Sequence, residues 1–115
     1  EVKRTISDCA RIALEPDEQV TFTTGSGGEV DVTRKDFGFY AAPSLNARLR
    51  QFKLRAVLVR NRLDRFFVLL VEEGKESLFE RYVQEERLDL VTWMDTTEAL
   101  SRLARAEGDH GKPSR

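Results

Sequence analysis

The side chains best placed to do chemistry in this chain are arginines, and the segment that could focus them begins at Tyr40. Tyr40-Ala-Ala-Pro-Ser44-Leu-Asn46-Ala-Arg48 carries an aromatic strand end into a helix start. A helix start presents backbone N–H groups without intrahelical partners, and these suit a phosphate or a carboxylate. Ser44, Asn46 and Arg48 could add side-chain donors, and Arg50, Arg60 and Arg62 continue the basic run. Together Ser44, Asn46, Arg48, Arg50, Arg60 and Arg62 form a candidate anion-binding set. The competing reading makes Ser44 an ordinary cap and the arginines a solvated surface.

Charge distribution supports a local rather than a global field. The chain has 19 basic and 20 acidic residues and a net charge of −1. Residues 34–65 nevertheless hold nine basic side chains against Asp36 and Asp64, so a positive middle is flanked by two acidic ends. A basic stripe beside Phe39, Tyr40, Phe66 and Phe67 invites comparison with RNA-binding sheets that stack bases on aromatics. The comparison fails at Arg65-Phe66-Phe67-Val68, where no glycine follows the basic residue and the apolar run continues. Nucleic acid is therefore not the expected partner.

Other chemistries lack their residues. His110 is the sole histidine and Cys9 the sole cysteine, so neither a structural zinc site nor a Ser-His pair is indicated. Gly25-Ser26-Gly27-Gly28 is flanked by strand patterns on both sides, unlike a nucleophile elbow or a phosphate loop. Glu72, Glu73 and Glu76 read as a solvated helix start rather than as metal ligands. No cofactor is expected. One thiol cannot form an internal disulfide, and no apolar run approaches the ~20 residues of a bilayer span. A cytoplasmic protein without membrane contact is the expectation.

The elements that must position these residues follow from periodicity. Val2, Ile6, Cys9 and Ala13 recur at helical spacing, with Ala10 and Leu14 widening the stripe, so a helix is expected over 2–14 with Cys9 buried. Pro16 would end it. Residues 18–24 and 29–34 alternate apolar and polar around Gly25–Gly28 and predict a hairpin. A short aromatic strand over 37–42 precedes a helix carrying Leu45, Leu49 and Phe52. Leu54–Arg60 and Arg65–Val71 predict a second hairpin across Asn61-Arg62-Leu63-Asp64. Leu78, Phe79, Tyr82 and Val83 mark a further helix, and residues 88–93 a last strand. Asp95 with Glu98 has capping-box spacing for a final helix, and residues 107–115 read as a mobile tail after a single domain spanning 1–106.

From residue 37 to 94 the order β-α-β-β-α-β predicts an α+β fold on the ferredoxin-like plan, with the N-terminal helix and hairpin added. In that plan the first and third strands are central. The uninterrupted run Phe66-Phe67-Val68-Leu69-Leu70-Val71 suits a strand covered on both faces. The expected core is Phe66, Val68 and Leu70 with Leu49, Phe52, Phe79, Val83 and Leu90.

Three functions are compatible with this reading. The first is a small non-catalytic domain acting through self-association or binding to another protein. The second is a binder of a small anionic ligand or nucleic acid through residues 48–65. The third is a small ferredoxin-like-barrel enzyme, for which no acid–base pair is evident. Self-association about a two-fold axis would cover an open sheet face, and the strand near Gln19–Thr24 offers a pairing edge.

Overall fold

A computed structural model describes residues 5–41 and 43–110, with the side chains of 109 and 110 left aside. The element order is β1 (Gln19–Thr23), β2 (Glu29–Lys35), β3 (Gly38–Tyr40), α1 (Arg48–Gln51), β4 (Leu54–Arg60), β5 (Phe66–Glu72), α2 (Glu76–Glu85), β6 (Asp89–Trp93) and α3 (Thr97–His110). The fold is α+β, built on two separate three-stranded antiparallel sheets ordered β1-β2-β3 and β5-β4-β6.

From β3 onward the sequence order matches the expected β-α-β-β-α-β, but the pairing does not. β3 has only three residues, and the tight turn before it returns them onto β2, Thr33 opposite Tyr40 and Arg34 opposite Phe39. A strand spent there cannot stand at the centre of a second sheet. The central strand of that sheet is β4, paired to β5 along its whole length and to β6 across a bulge at Leu58/Val59. The all-apolar β5 is an edge.

Both faces of β4 are covered. Val57 and Val59 turn toward α2, packing with Val71 and Phe79 and flanked by Leu69, Val83, Leu88 and Trp93. Leu54 and Ala56 turn the other way, packing with Leu49 of α1 and flanked by Val30, Leu45 and Met94. Leu49, Ala56, Val57 and Val59 are wholly excluded from solvent. The expected core is thus correct for Leu49 and Phe79 and half correct for the part-buried Phe52 and Val83. It is wrong for Phe66, Val68, Leu70 and Leu90, all exposed. Of the two helices packed on this sheet, α1 reaches only the Leu54–Ala56 end and α2 covers only one face.

Residues 5–15 form no helix, contrary to the spacing of Ile6, Cys9 and Ala13; Val2 lies outside the described residues. Ala10, Ile12 and Leu14 also recur at period two. They approach the apolar face of the first sheet, where Val20, Phe22 and Phe39 complete a cleft of about 380 Å³. Tertiary contact with a sheet outweighs helical propensity in so short a segment. Cys9 is exposed rather than buried. At the other end α3 extends through residues 107–110, which the sequence placed in a tail.

Two glycines hold the first hairpin to the second. Gly27 has φ +105°, the left-handed turn geometry glycine permits. Gly28 serves close approach, because a Cβ there would lie 3.0 Å from Thr24 Oγ1 and 3.2 Å from Leu54 Cδ2. Thr24 Oγ1 in turn accepts the Gly28 N–H at 2.9 Å and donates to Glu72 Oε2 at 3.0 Å.

Candidate functional site

The six residues of the candidate anion set divide between two ends of β4. Ser44, Asn46, Arg48 and Arg50 lie around α1, while Arg60 and Arg62 lie at the β4–β5 loop. Ser44 Oγ accepts the Arg48 N–H at 2.8 Å and its carbonyl accepts the Leu49 N–H, so Ser44 closes the turn leading into α1. Asn46 donates to Thr97 Oγ1 at 3.0 Å and ties this loop to α3. Arg48 stands 4.0 Å from Asp31 and over the Phe52 ring, and it lines a recess of about 230 Å³ with Gln19, Asp31, Thr33, Tyr40 and Pro43. Arg60 faces Asp89 at 3.3 Å and Asp64 at 4.0 Å. Asp31 and Asp89, from the two acidic ends, thus sit against the basic middle. Local neutralisation of this kind lowers the attraction for an outside anion.

Arg50 belongs to a tighter cluster that sequence reading missed. Asp95 is the one buried charged residue among those described. Its Oδ2 accepts from Arg55 Nε at 2.6 Å and lies 3.5 Å from Arg50. Arg55 also reaches Glu76 at 3.1 Å and stacks its guanidinium 3.9 Å from the Trp93 ring centre. The hydrogen bond to Asp95 is the chief reason the Arg55 pKa is raised; burial opposes it and Glu76 adds to it. The Glu76 carboxyl is held below its usual range, first by the N–H of its own residue and then by Arg55.

Asp95 is consequently not a helix cap. Thr96 takes that role, its Oγ1 accepting the Ala99 N–H at 3.1 Å. The available signal was Arg55 itself, a charge inside the run Leu54–Val59 where a wet position would break an otherwise apolar strand. Asp95 Oδ1 has no hydrogen-bond partner. The cluster welds β4, α2 and the start of α3, and its geometry is that of a structural ion pair.

The most exposed chemistry is apolar. Phe66 is 54%, Phe67 45%, Val68 57% and Leu70 37% exposed, all on one edge strand. The direction of the free edge follows from the hydrogen bonds at both ends of the hairpin. Asn61 N–H donates to Arg65 O, and Glu73 N–H donates to Lys53 O. Antiparallel ladders alternate, so Phe67, Leu69 and Val71 turn their N–H and C=O groups toward β4. Phe66, Val68 and Leu70 turn theirs outward, as does the Glu72 N–H, while the Glu72 C=O accepts the Lys75 N–H at 2.9 Å. Beside this edge runs a groove of about 410 Å³, lined by Leu69, Leu70, Val71, Leu78 and Phe79 among others.

The two edges of this sheet are unlike. β6 is five residues long, begins at Asp89 and meets β4 across a bulge, features that discourage strand addition. β5 pairs with β4 without a bulge, contains no proline and carries no charge from Phe66 to Val71. Among the described residues no group of His, Cys, Asp and Glu could hold a metal, and no helix is long and apolar enough to cross a membrane. Comparison with protein-family models, curated proteins and solved structures finds no match.

Proposed function

We propose that this chain is a non-catalytic protein-interaction domain that accepts an extended apolar segment along the outer edge of β5. The observation that carries the reading is the coincidence, on one strand, of outward backbone groups with exposed Phe66, Val68 and Leu70. Strand addition draws affinity from main-chain hydrogen bonds and selectivity from alternate side chains. Here both are on offer, and the groove beside Leu78 adds apolar surface for side chains pointing toward α2. Apolar patches of this kind on soluble domains mark interaction sites.

Amide hydrogen exchange tests the reading residue by residue. In the isolated domain the Phe67, Leu69 and Val71 amides are protected by β4, whereas those of Phe66, Val68 and Leu70 exchange freely. Addition of a synthetic peptide copying residues 64–74 slows the second set. Outward amides that stay unprotected at every chain and peptide concentration would remove the proposal.

A further inference from the structure

We infer that the segment docking on β5 is β5 of a second copy of this chain, antiparallel about a two-fold axis through Leu69. The inference rests on the strand-addition reading above and specifies its partner and register. The argument is charge complementarity. β5 is neutral from Phe66 to Val71 but is bounded by Arg65 on one side and by Glu72 and Glu73 on the other. A parallel copy would set Arg65 against Arg65 and the glutamates against each other. An antiparallel copy centred on Leu69 sets Arg65 of each chain opposite Glu73 of the other.

Neighbouring registers are worse. Centring on Val68 brings Asp64 opposite Glu72, and centring on Leu70 brings Arg65 opposite Lys75. Like charges directly opposite are destabilising. Arg65 is exposed and has no ion pair among the described residues, while Glu73 has only Arg50, at 3.9 Å. Both are therefore available to a second chain.

The same register satisfies the backbone. Outward-facing Val68 lies opposite outward-facing Leu70 of the second copy, so these become the full hydrogen-bonded pairs, and at each end the Glu72 N–H meets the Phe66 C=O while the Glu72 C=O keeps the Lys75 N–H. Leu69 meets its own mate as a non-hydrogen-bonded pair. The product is one continuous sheet, β6-β4-β5 followed by β5-β4-β6 of the second copy, with the two-fold axis perpendicular to it. Both α2 helices lie on one face of that sheet, and the exposed Leu78 of each borders the shared groove. A closed two-fold also covers the six-residue uncharged edge from Phe66 to Val71, longer than the uncharged five-residue edge of β1.

Sedimentation equilibrium across a concentration series tests this with charge-reversal and strand-blocking variants. The parent chain should sediment at twice 13.2 kDa. Arg65→Glu and Glu73→Arg should each weaken the dimer roughly tenfold, since each loses two exposed pairs and gains repulsions. The double reversal Arg65→Glu, Glu73→Arg should restore it, and added salt should shrink all these differences. Val68→Pro should give a folded monomer, because the N–H it removes points away from β4. If that variant fails to fold by circular dichroism, Val68→Lys, at a position 57% exposed in the single chain, reads the same step.

A parent that stays monomeric overturns the inference. So does a dimer indifferent to the charge reversals and to Val68→Pro or Val68→Lys, since it would form through another surface. A monomeric parent whose outward β5 amides are nevertheless protected by the 64–74 peptide overturns self-pairing while leaving the strand-addition reading in place. A monomeric parent with no such protection overturns both.

Discussion

Replacing Arg55 by methionine removes a charge from a site where its partner has no access to water. The Asp95 side chain is 0% exposed and that of Arg55 24%, and the two meet at 2.6 Å. Breaking a buried pair by deleting one member typically costs ~3–5 kcal/mol, since the remaining charge is left desolvated. Two features moderate the cost here. Arg50 stays within 3.5 Å of Asp95, and methionine keeps apolar contact with the Trp93 ring. Against this, Asp95 Oδ1 already lacks a partner, so no second hydrogen bond is held in reserve. The expected loss is about 3 kcal/mol, a large share of the ~5–15 kcal/mol that stabilises a domain of this size. Urea unfolding gives it as a fall in midpoint at constant slope. The double variant Arg55→Met, Asp95→Asn should lose less than the sum of the singles, because removing both members leaves no stranded charge. A loss below about 1 kcal/mol for Arg55→Met, or strict additivity, would show that Arg55 is no more than a surface arginine.

The core assignment is checked by a pair of truncations. Val57→Ala, at a site with no exposure, should cost about 2 kcal/mol, and Val68→Ala, measured on dilute monomer, below about 1. Gly28→Ala should cost about 1–3 kcal/mol through crowding against Thr24 and Leu54, which calorimetry would register as a lowered Tm. Acid should destabilise the fold through Glu72, held low chiefly by Ser26 and then Thr24 and Lys75, and through Glu76. Depressed carboxyl pKa values contribute stability above the ordinary value of 4.5, lost as pH falls through it toward the folded value, so Glu76→Gln should flatten the acid limb of a urea-midpoint profile. Sulfate should stabilise the parent and the Arg48→Ala, Arg50→Ala variant alike, because Asp31, Glu73 and Asp95 already face these arginines. A distinctly larger rise in the parent would restore the anion site.

Local chemistry by itself placed most of the elements. Period-two alternation located β1 and β2, the apolar runs on either side of Asn61–Asp64 located β4 and β5 with the loop between them, and the stripe through Leu78, Phe79, Tyr82 and Val83 located α2. Asn61 shows why such loops are legible: its own Oδ1 accepts the Leu63 and Arg65 N–H groups, so turn information is contained in the turn. Ser44 likewise works on the residues just after it.

What the sequence alone could not decide was which faces and edges find cover. An uninterrupted apolar run says that a strand could be enclosed, yet β5 is an edge because three-residue β3 pairs with β2 and leaves β4 in the middle. Ala10 and Leu14 fit a helical stripe as well as the period-two stripe they form with Ile12, and contact with Val20, Phe22, Val32 and Phe39 of the first sheet selected the second. Asp95 carried a cap signature two residues before α3, with Glu98 three residues on, but a guanidinium distant by forty positions in sequence claimed its carboxylate. Periodicity reports on neighbours within a turn or two. Burial, pairing order and charge partnership are set by contacts between segments far apart in the chain, where several arrangements satisfy the same local pattern and packing chooses among them.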